Sequence, residues 1–151
     1  MFFLKDLPTQ DMLQGYAARF PEMDPHSIES ALMLLRRASL LLRELEGYFA
    51  QHGLSQTRFL ILILLDRDPS VQGLSATAIA GKLDISKPIV SNTLKALAQE
   101  RLLDITENAE DRRARWVTLT TEGRKRLRAL LPGYFALIQT FMAGETAVRN
   151  R

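Results

Sequence analysis

The sequence contains no cysteine. That absence excludes a disulfide framework, a thiolate metal site, a cysteine nucleophile and a thiol redox switch. Histidine is almost as scarce, with His26 and His52 alone, and neither lies in a nucleophile motif. There is no H-E-x-x-H pair and no glycine-rich phosphate loop, and Glu44 and Glu46, two residues apart, do not share a helix face. Asp24 beside His26 could touch a metal, but a solvated capping segment explains the pair more simply. The pattern therefore predicts a protein that is not an enzyme and carries no metal and no cofactor. Long hydrophobic runs are missing too: none approaches the roughly 20 residues needed to span a membrane. The start, MFFLKDLPTQDML, has no basic stretch ahead of its short apolar patch, so it does not read as a signal peptide. A cytoplasmic protein without membrane contact is the expectation.

What is present is an ordinary globular composition, 46% hydrophobic and 25% charged over 151 residues, enough for one domain or one subunit of an intertwined dimer. The net charge of +3 is modest, but it is unevenly placed. Residues 1–85 carry eight Lys+Arg against ten Asp+Glu, whereas residues 86–128 carry ten against six. The basic excess lies in the second half, where an anionic partner would be met. A solvated helix face would give the same bias, so charge alone does not decide.

Four segments have helical period. A short helix is expected around Asp11–Phe20, between Pro8 and Pro21. A long one starts at "DPHSIES", with Asp24 or Ser27 as cap. Its row Ile28, Leu32, Leu35, Ser39, Leu42, Leu45, Phe49 is flanked by Leu34, Leu41 and Tyr48, and it ends near His52-Gly53. This stripe is wider than one packing partner requires, which predicts burial against a second subunit. "LSQTRFLILILLDRDP" is a helix capped by Ser55 and apolar all round from Phe59 to Leu65, the centre of the domain. The last helix follows Thr120 or Thr121, with Leu127, Leu130, Leu131, Tyr134, Ile138, Phe141 and Met142 in period and Pro132 expected to kink it.

Between these lies the stretch that carries function. Ser75 caps a short helix to about Leu83, Asp84-Ile85 turns, and Ser86 caps a second helix with Pro88 in its first turn, where a missing N–H is harmless. Ala78, Ile79 and Leu83 would face Ile85, Val90, Leu94 and Leu97, making a helix-turn-helix. The outward face of the second helix offers Ser86, Lys87, Ile89, Ser91, Asn92 and Lys95. After Arg101 the period becomes two. Leu103 and Ile105, then Val117 and Leu119, alternate with Asp104, Thr106, Trp116 and Thr118, so a hairpin with its turn at Glu107–Arg112 follows the helices. Arg112, Arg113 and Arg115 sit at the tip and flank of that wing.

This assembly suits double-stranded DNA. A major groove admits one helix and is read by side chains such as Asn, Ser, Lys and Arg. Asn92 can pair with adenine, and Lys87 and Lys95 suit phosphate or guanine. A narrow minor groove attracts arginine, the natural place for Arg113, with Asp111 pairing an arginine to fix the wing's direction. The alternative is a winged-helix scaffold that binds protein and no operator.

D-x-R near the wing tip, V-x-L-T and a downstream glycine, here Asp111, Arg113, Val117, Leu119, Thr120 and Gly123, resemble the MarR family of bacterial transcriptional regulators. The order of elements matches over about residues 28–142. The resemblance implies a mainly α fold with a small β-hairpin wing, in which residues 54–120 form the winged-helix DNA-binding lobe and residues 1–53 and 121–151 the helical dimerisation region. It implies a homodimer on a pseudo-palindromic operator, with recognition helices in major grooves and wings in flanking minor grooves. It further implies a repressor released by a small, often aromatic, anionic effector. Tyr48, His52, Arg58 and Phe59 are the candidate effector contacts, aromatics beside a cation; ordinary core packing with one surface arginine explains them equally well. The chain departs from the family at Asn92, where an arginine is frequent, at Arg101, where a glycine is common, and at Ile105, where a basic residue is common. Base specificity therefore does not carry over.

Overall fold

The computed structural model describes residues 2–67, 73–107 and 115–149. Six helices and three short strands are seen among them: α1 Gln10–Ala17, α2 Pro25–Gln51, α3 Gln56–Asp66, β1 Leu74–Ser75, α4 Ala76–Lys82, α5 Lys87–Gln99, β2 Leu103–Glu107, β3 Arg115–Leu119 and α6 Thr121–Arg149. None of the helices is long and apolar enough to cross a membrane. The chain forms two compact units, Met1–Leu45 and Glu46–Arg151.

In the first unit α1 begins where the Thr9 hydroxyl accepts the Met12 N–H and ends at Ala17, three residues short of the expected Phe20. α2 starts on Asp24, whose carboxylate accepts the backbone N–H groups of His26 and Ser27 and the Ser27 hydroxyl. Of the two candidate caps, Asp24 is the one used. Ser39 is buried although polar; its hydroxyl donates to the Phe2 carbonyl at 3.0 Å, tying the N-terminal arm to the middle of α2. Leu13 is the buried anchor of α1. Many apolar residues of this unit stay in solvent, Ile28, Met33, Leu34, Leu35 and Leu42 of α2 among them.

The second unit is built round α3, of which Phe59, Ile61, Leu62 and Leu64 are buried. The Ser55 hydroxyl caps it by accepting the Arg58 N–H. Phe59 stacks on Phe49 with ring centroids 4.5 Å apart and meets the tilted ring of Tyr134 at 4.7 Å, joining the end of α2 to α6 through aromatic contact. α6 continues through Pro132 without a break in the helix. In that turn the Tyr48 hydroxyl donates to the Leu130 carbonyl at 2.7 Å. Gly133 makes the approach feasible, since a Cβ there would stand 2.5 Å from the Tyr48 hydroxyl oxygen.

The sheet has the order β1-β3-β2, antiparallel throughout. β1 adds a third strand to the expected hairpin. Its two residues pair Leu74 with Val117 and Ser75 with Trp116, which makes β3 the central strand. Leu103, Val117 and Leu119 are buried, as the alternation requires. Ile105, in register with Val117, remains partly exposed: it lies on an edge strand, toward the wing tip and away from the helices that cover Leu103.

Candidate nucleic-acid interface

Local chemistry sets the helix-turn-helix. The Ser75 hydroxyl accepts the Ala78 N–H at 3.1 Å and starts α4. The turn of residues 83–86 follows, and α5 begins at Lys87 with Pro88 in its first turn. Ser86 holds the N-cap position, but its side chain makes no capping hydrogen bond, contrary to the sequence expectation. Such a cap bonds the N–H of the second or third helical residue; Pro88 removes the second, and the third, Ile89, keeps its N–H without the Ser86 hydroxyl engaging it. Ile79 of α4 and Val90, Leu94 and Leu97 of α5 are buried, so α5 presents its opposite side outward. Ser86, Lys87, Ile89, Ser91, Asn92 and Lys95 are all exposed there. The surface therefore combines two ammonium groups, a carboxamide, two hydroxyls and one aliphatic side chain at the N-terminal end of a helix, where backbone N–H groups and the helix dipole also favour anions.

Two clamps hold α5 against its neighbours. At its far end the Arg58 guanidinium pairs with both carboxylate oxygens of Glu100. Beyond it Arg101 adopts a left-handed backbone, φ 60°, and the chain enters β2 after the Leu102 N–H bonds the Leu97 carbonyl. Thr120 closes this corner. Its hydroxyl donates to the Arg101 carbonyl at 2.7 Å and accepts the Gly123 N–H at 2.9 Å, while its N–H donates to the Leu102 carbonyl at 3.2 Å. One threonine thus caps α6 and fixes the end of β3 to the exit of α5. Of the two candidate caps, Thr120 and Thr121, Thr120 is the one used; its bond to Arg101 was not legible, because it spans 19 residues.

At the wing, Arg115 is exposed on β3, in register with Glu107 on β2. Asp111, Arg112 and Arg113 lie outside the described residues. Of the candidate effector contacts, Tyr48 and His52 do meet, with ring centroids 4.6 Å apart. The Tyr48 hydroxyl is engaged by the Leu130 carbonyl, and the backbone carbonyl of His52 accepts from the Arg126 guanidinium at 2.8 Å. Phe59 is buried between Phe49 and Tyr134, and Arg58 is engaged by Glu100.

Comparison with known proteins agrees with this architecture. Residues 52–114 match the model of the MarR family. The chain is 34% identical over 139 residues to the HTH-type transcriptional repressor YetL of Bacillus subtilis (strain 168), covering 92% of this chain and 83% of that protein. Among solved structures, Sco3205, a MarR family transcriptional regulator from Streptomyces coelicolor in complex with DNA, superposes with a TM-score of 0.72 at 20% identity, over 79% of this chain and 75% of that one. CouR from Rhodococcus jostii RHA1, bound to p-coumaroyl-CoA, gives 0.67 at 19% identity, over 82% and 87%. On its repressor relative, its family match and its winged helix-turn-helix, this chain belongs to the MarR family of transcriptional regulators.

Proposed function

We propose that the chain is a sequence-specific DNA-binding repressor, acting as a homodimer on a pseudo-palindromic operator and released by a small ligand. One observation carries the reading. The face of α5 opposite Val90, Leu94 and Leu97 consists of exposed Ser86, Lys87, Ile89, Ser91, Asn92 and Lys95, a set matched to phosphates and base edges. Arg112, Arg113 and Arg115 of the wing follow into the adjacent minor groove, oriented by Asp111. The helices of residues 1–53 and 121–151 supply the dimer contacts. A chromosomal target places the protein in the cytoplasm, and its work is binding, not catalysis. The relatives support this reading: one is a repressor, one was solved with DNA and one with a coenzyme A thioester. An anionic aromatic effector at Tyr48, His52, Arg58 and Phe59 would compete with the Leu130 and Glu100 contacts and so act on the start of α3, the end of α5 and the interior of α6 together.

The test is selection of duplex fragments from a random library by the purified protein at two salt concentrations, repeated with Arg113→Ala. A discrete palindrome and a steep salt dependence are expected. The variant should flatten the slope of log K against log salt by about 1 for each phosphate that is no longer neutralised. Binding that is absent, or indifferent to both salt and Arg113, overturns the reading in favour of a protein-binding scaffold.

A further inference from the structure

α5 bears a residue that neither its core packing nor its charge explains. Ile89 is 51% exposed, whereas Val90, Leu94 and Leu97 of the same helix are at most 3% exposed. What distinguishes it from other exposed aliphatic residues is its place, on the face of α5 that the lysines and Asn92 share. On the helix surface, residues three and four apart are neighbours, and the outward residues sort into two rows on that spacing. Lys87, Ser91 and Lys95 form one, wholly hydrophilic and doubly cationic. Ile89 and Asn92 form the other. Thr93 lies next to Ile89, but its hydroxyl is turned into the helix and donates to the Ile89 carbonyl at 2.8 Å. The neighbourhood thus consists of an aliphatic group and a carboxamide side by side, with Lys87 on the other row and Lys95, three residues past Asn92, where the two rows meet.

We propose that Ile89 is a specificity-determining residue that reads the C5-methyl group of a thymine, while Asn92 reads an adenine in the neighbouring base pair. The proposal rests on the DNA-binding reading above and adds the composition of the half-site core to it. The thymine methyl is the one apolar group that a base pair exposes in the major groove, and adenine N6/N7 is the bidentate partner of a carboxamide. Helix residues three apart address successive base pairs in a major groove, so the pair specifies a T·A step next to an A·T step. The lysine row then falls toward the sugar-phosphate backbone, where it adds affinity without sequence information.

The test uses the operator selected by the full-length protein. Each thymine is replaced singly by deoxyuridine, which removes the methyl and leaves Watson–Crick pairing intact, and binding is followed by fluorescence anisotropy. One thymine in each half-site is expected to be sensitive, with about fourfold weaker binding per methyl removed, the factor corresponding to about 0.8 kcal/mol for one buried carbon. In Ile89→Ala the same replacement should leave binding unchanged, and Ile89→Thr, which keeps a methyl group, should retain part of the sensitivity. Selection with Asn92→Ala should relax the preference for adenine at the adjacent pair and nowhere else. Deoxyuridine that is neutral at every position overturns the proposal while the regulator reading stands, and so does a sensitivity that Ile89→Ala leaves intact. If no discrete operator is selected, both fall together. The exposure of Ile89 makes misfolding of the variants easy to check, since their melting temperatures should match the parent.

Discussion

At the scale of single residues, Arg101 and Gly123 are where the backbone bears most directly on which side chain a position tolerates. Arg101 terminates α5 in a left-handed conformation, φ 60°, that side chains with a Cβ adopt at a cost of about 1–2 kcal/mol. A glycine would remove that cost while adding unfolded-chain entropy, so Arg101→Gly is expected to stabilise the fold by about 0.5–1 kcal/mol net. The check is a higher urea midpoint at unchanged m-value. Gly123 is the converse case. A Cβ there would fall well inside contact distance of the Leu102 carbonyl oxygen and close to Leu119. The obstacle is backbone, held in place by the Thr120 N–H, and cannot swing aside. Gly123→Ala should therefore destabilise the fold by about 3 kcal/mol, at the upper end of what overpacking costs, read as a lowered urea midpoint. Gly123 was visible in the sequence as part of the wing motif, but its reason was not. That reason is a close approach across 21 residues between a helix start and the carbonyl that leads into β2.

At the scale of elements, the start of α2 carries a pH signature. The Ser27 hydroxyl first, then the Ser27 backbone N–H, and more weakly the N–H and charge of His26, hold the Asp24 carboxyl below its ordinary value. A carboxylate depressed in the folded state contributes stability that is fully present above its unfolded value and is lost as pH falls through the folded one. Thermal melts should thus show this contribution fading below the ordinary aspartate range. Asp24→Asn, which keeps one capping oxygen of the two, should flatten that part of the profile at a small cost in stability at neutral pH. A parent and variant with parallel acid profiles would rule the cap out as the source. The helices themselves were readable because caps and period agree: Ser55, Ser75 and Thr120 each cap by side chain where the sequence places them. β1 was not readable, since two residues cannot show an alternation, and what creates it is the free edge of β3. Ser86 holds the cap position that the sequence gives it, beside a Pro88 legible as a helix start, but its hydroxyl makes no capping bond. Likewise the outward face of α5 followed from which residues sink, whereas the engagement of Arg58 by Glu100 depends on two ends of the lobe meeting and left no local signal.

At the scale of the whole molecule, part of the wide apolar stripe expected in α2 remains in solvent in the single chain, while Ser39 and Phe49 are buried. Leu34 is 67% and Leu35 50% exposed, with Ile28, Met33 and Leu42 beside them, and Phe135 and Met142 of α6 are also exposed. A few scattered aliphatic residues on a surface need no explanation, but five along one helix are more than a monomer usually leaves uncovered. Burial of apolar surface contributes about 25 cal/mol per Å², and a stable interface removes about 800 Å² on each partner, which is within reach of a 27-residue helix and its neighbours. The expectation is that Leu34→Glu combined with Leu35→Glu converts a dimer into a monomer in sedimentation equilibrium. Helix content should be little altered, because neither side chain belongs to a buried cluster. Two linked recognition helices bind a palindrome with an avidity gain of about 10²–10⁴ over one. The same variant should therefore lose operator binding by that order while keeping its weak, salt-dependent affinity for any duplex. A variant that stays dimeric would move the interface away from α2. One that becomes monomeric yet binds the full palindrome undiminished would break the link between the two copies and the two half-sites.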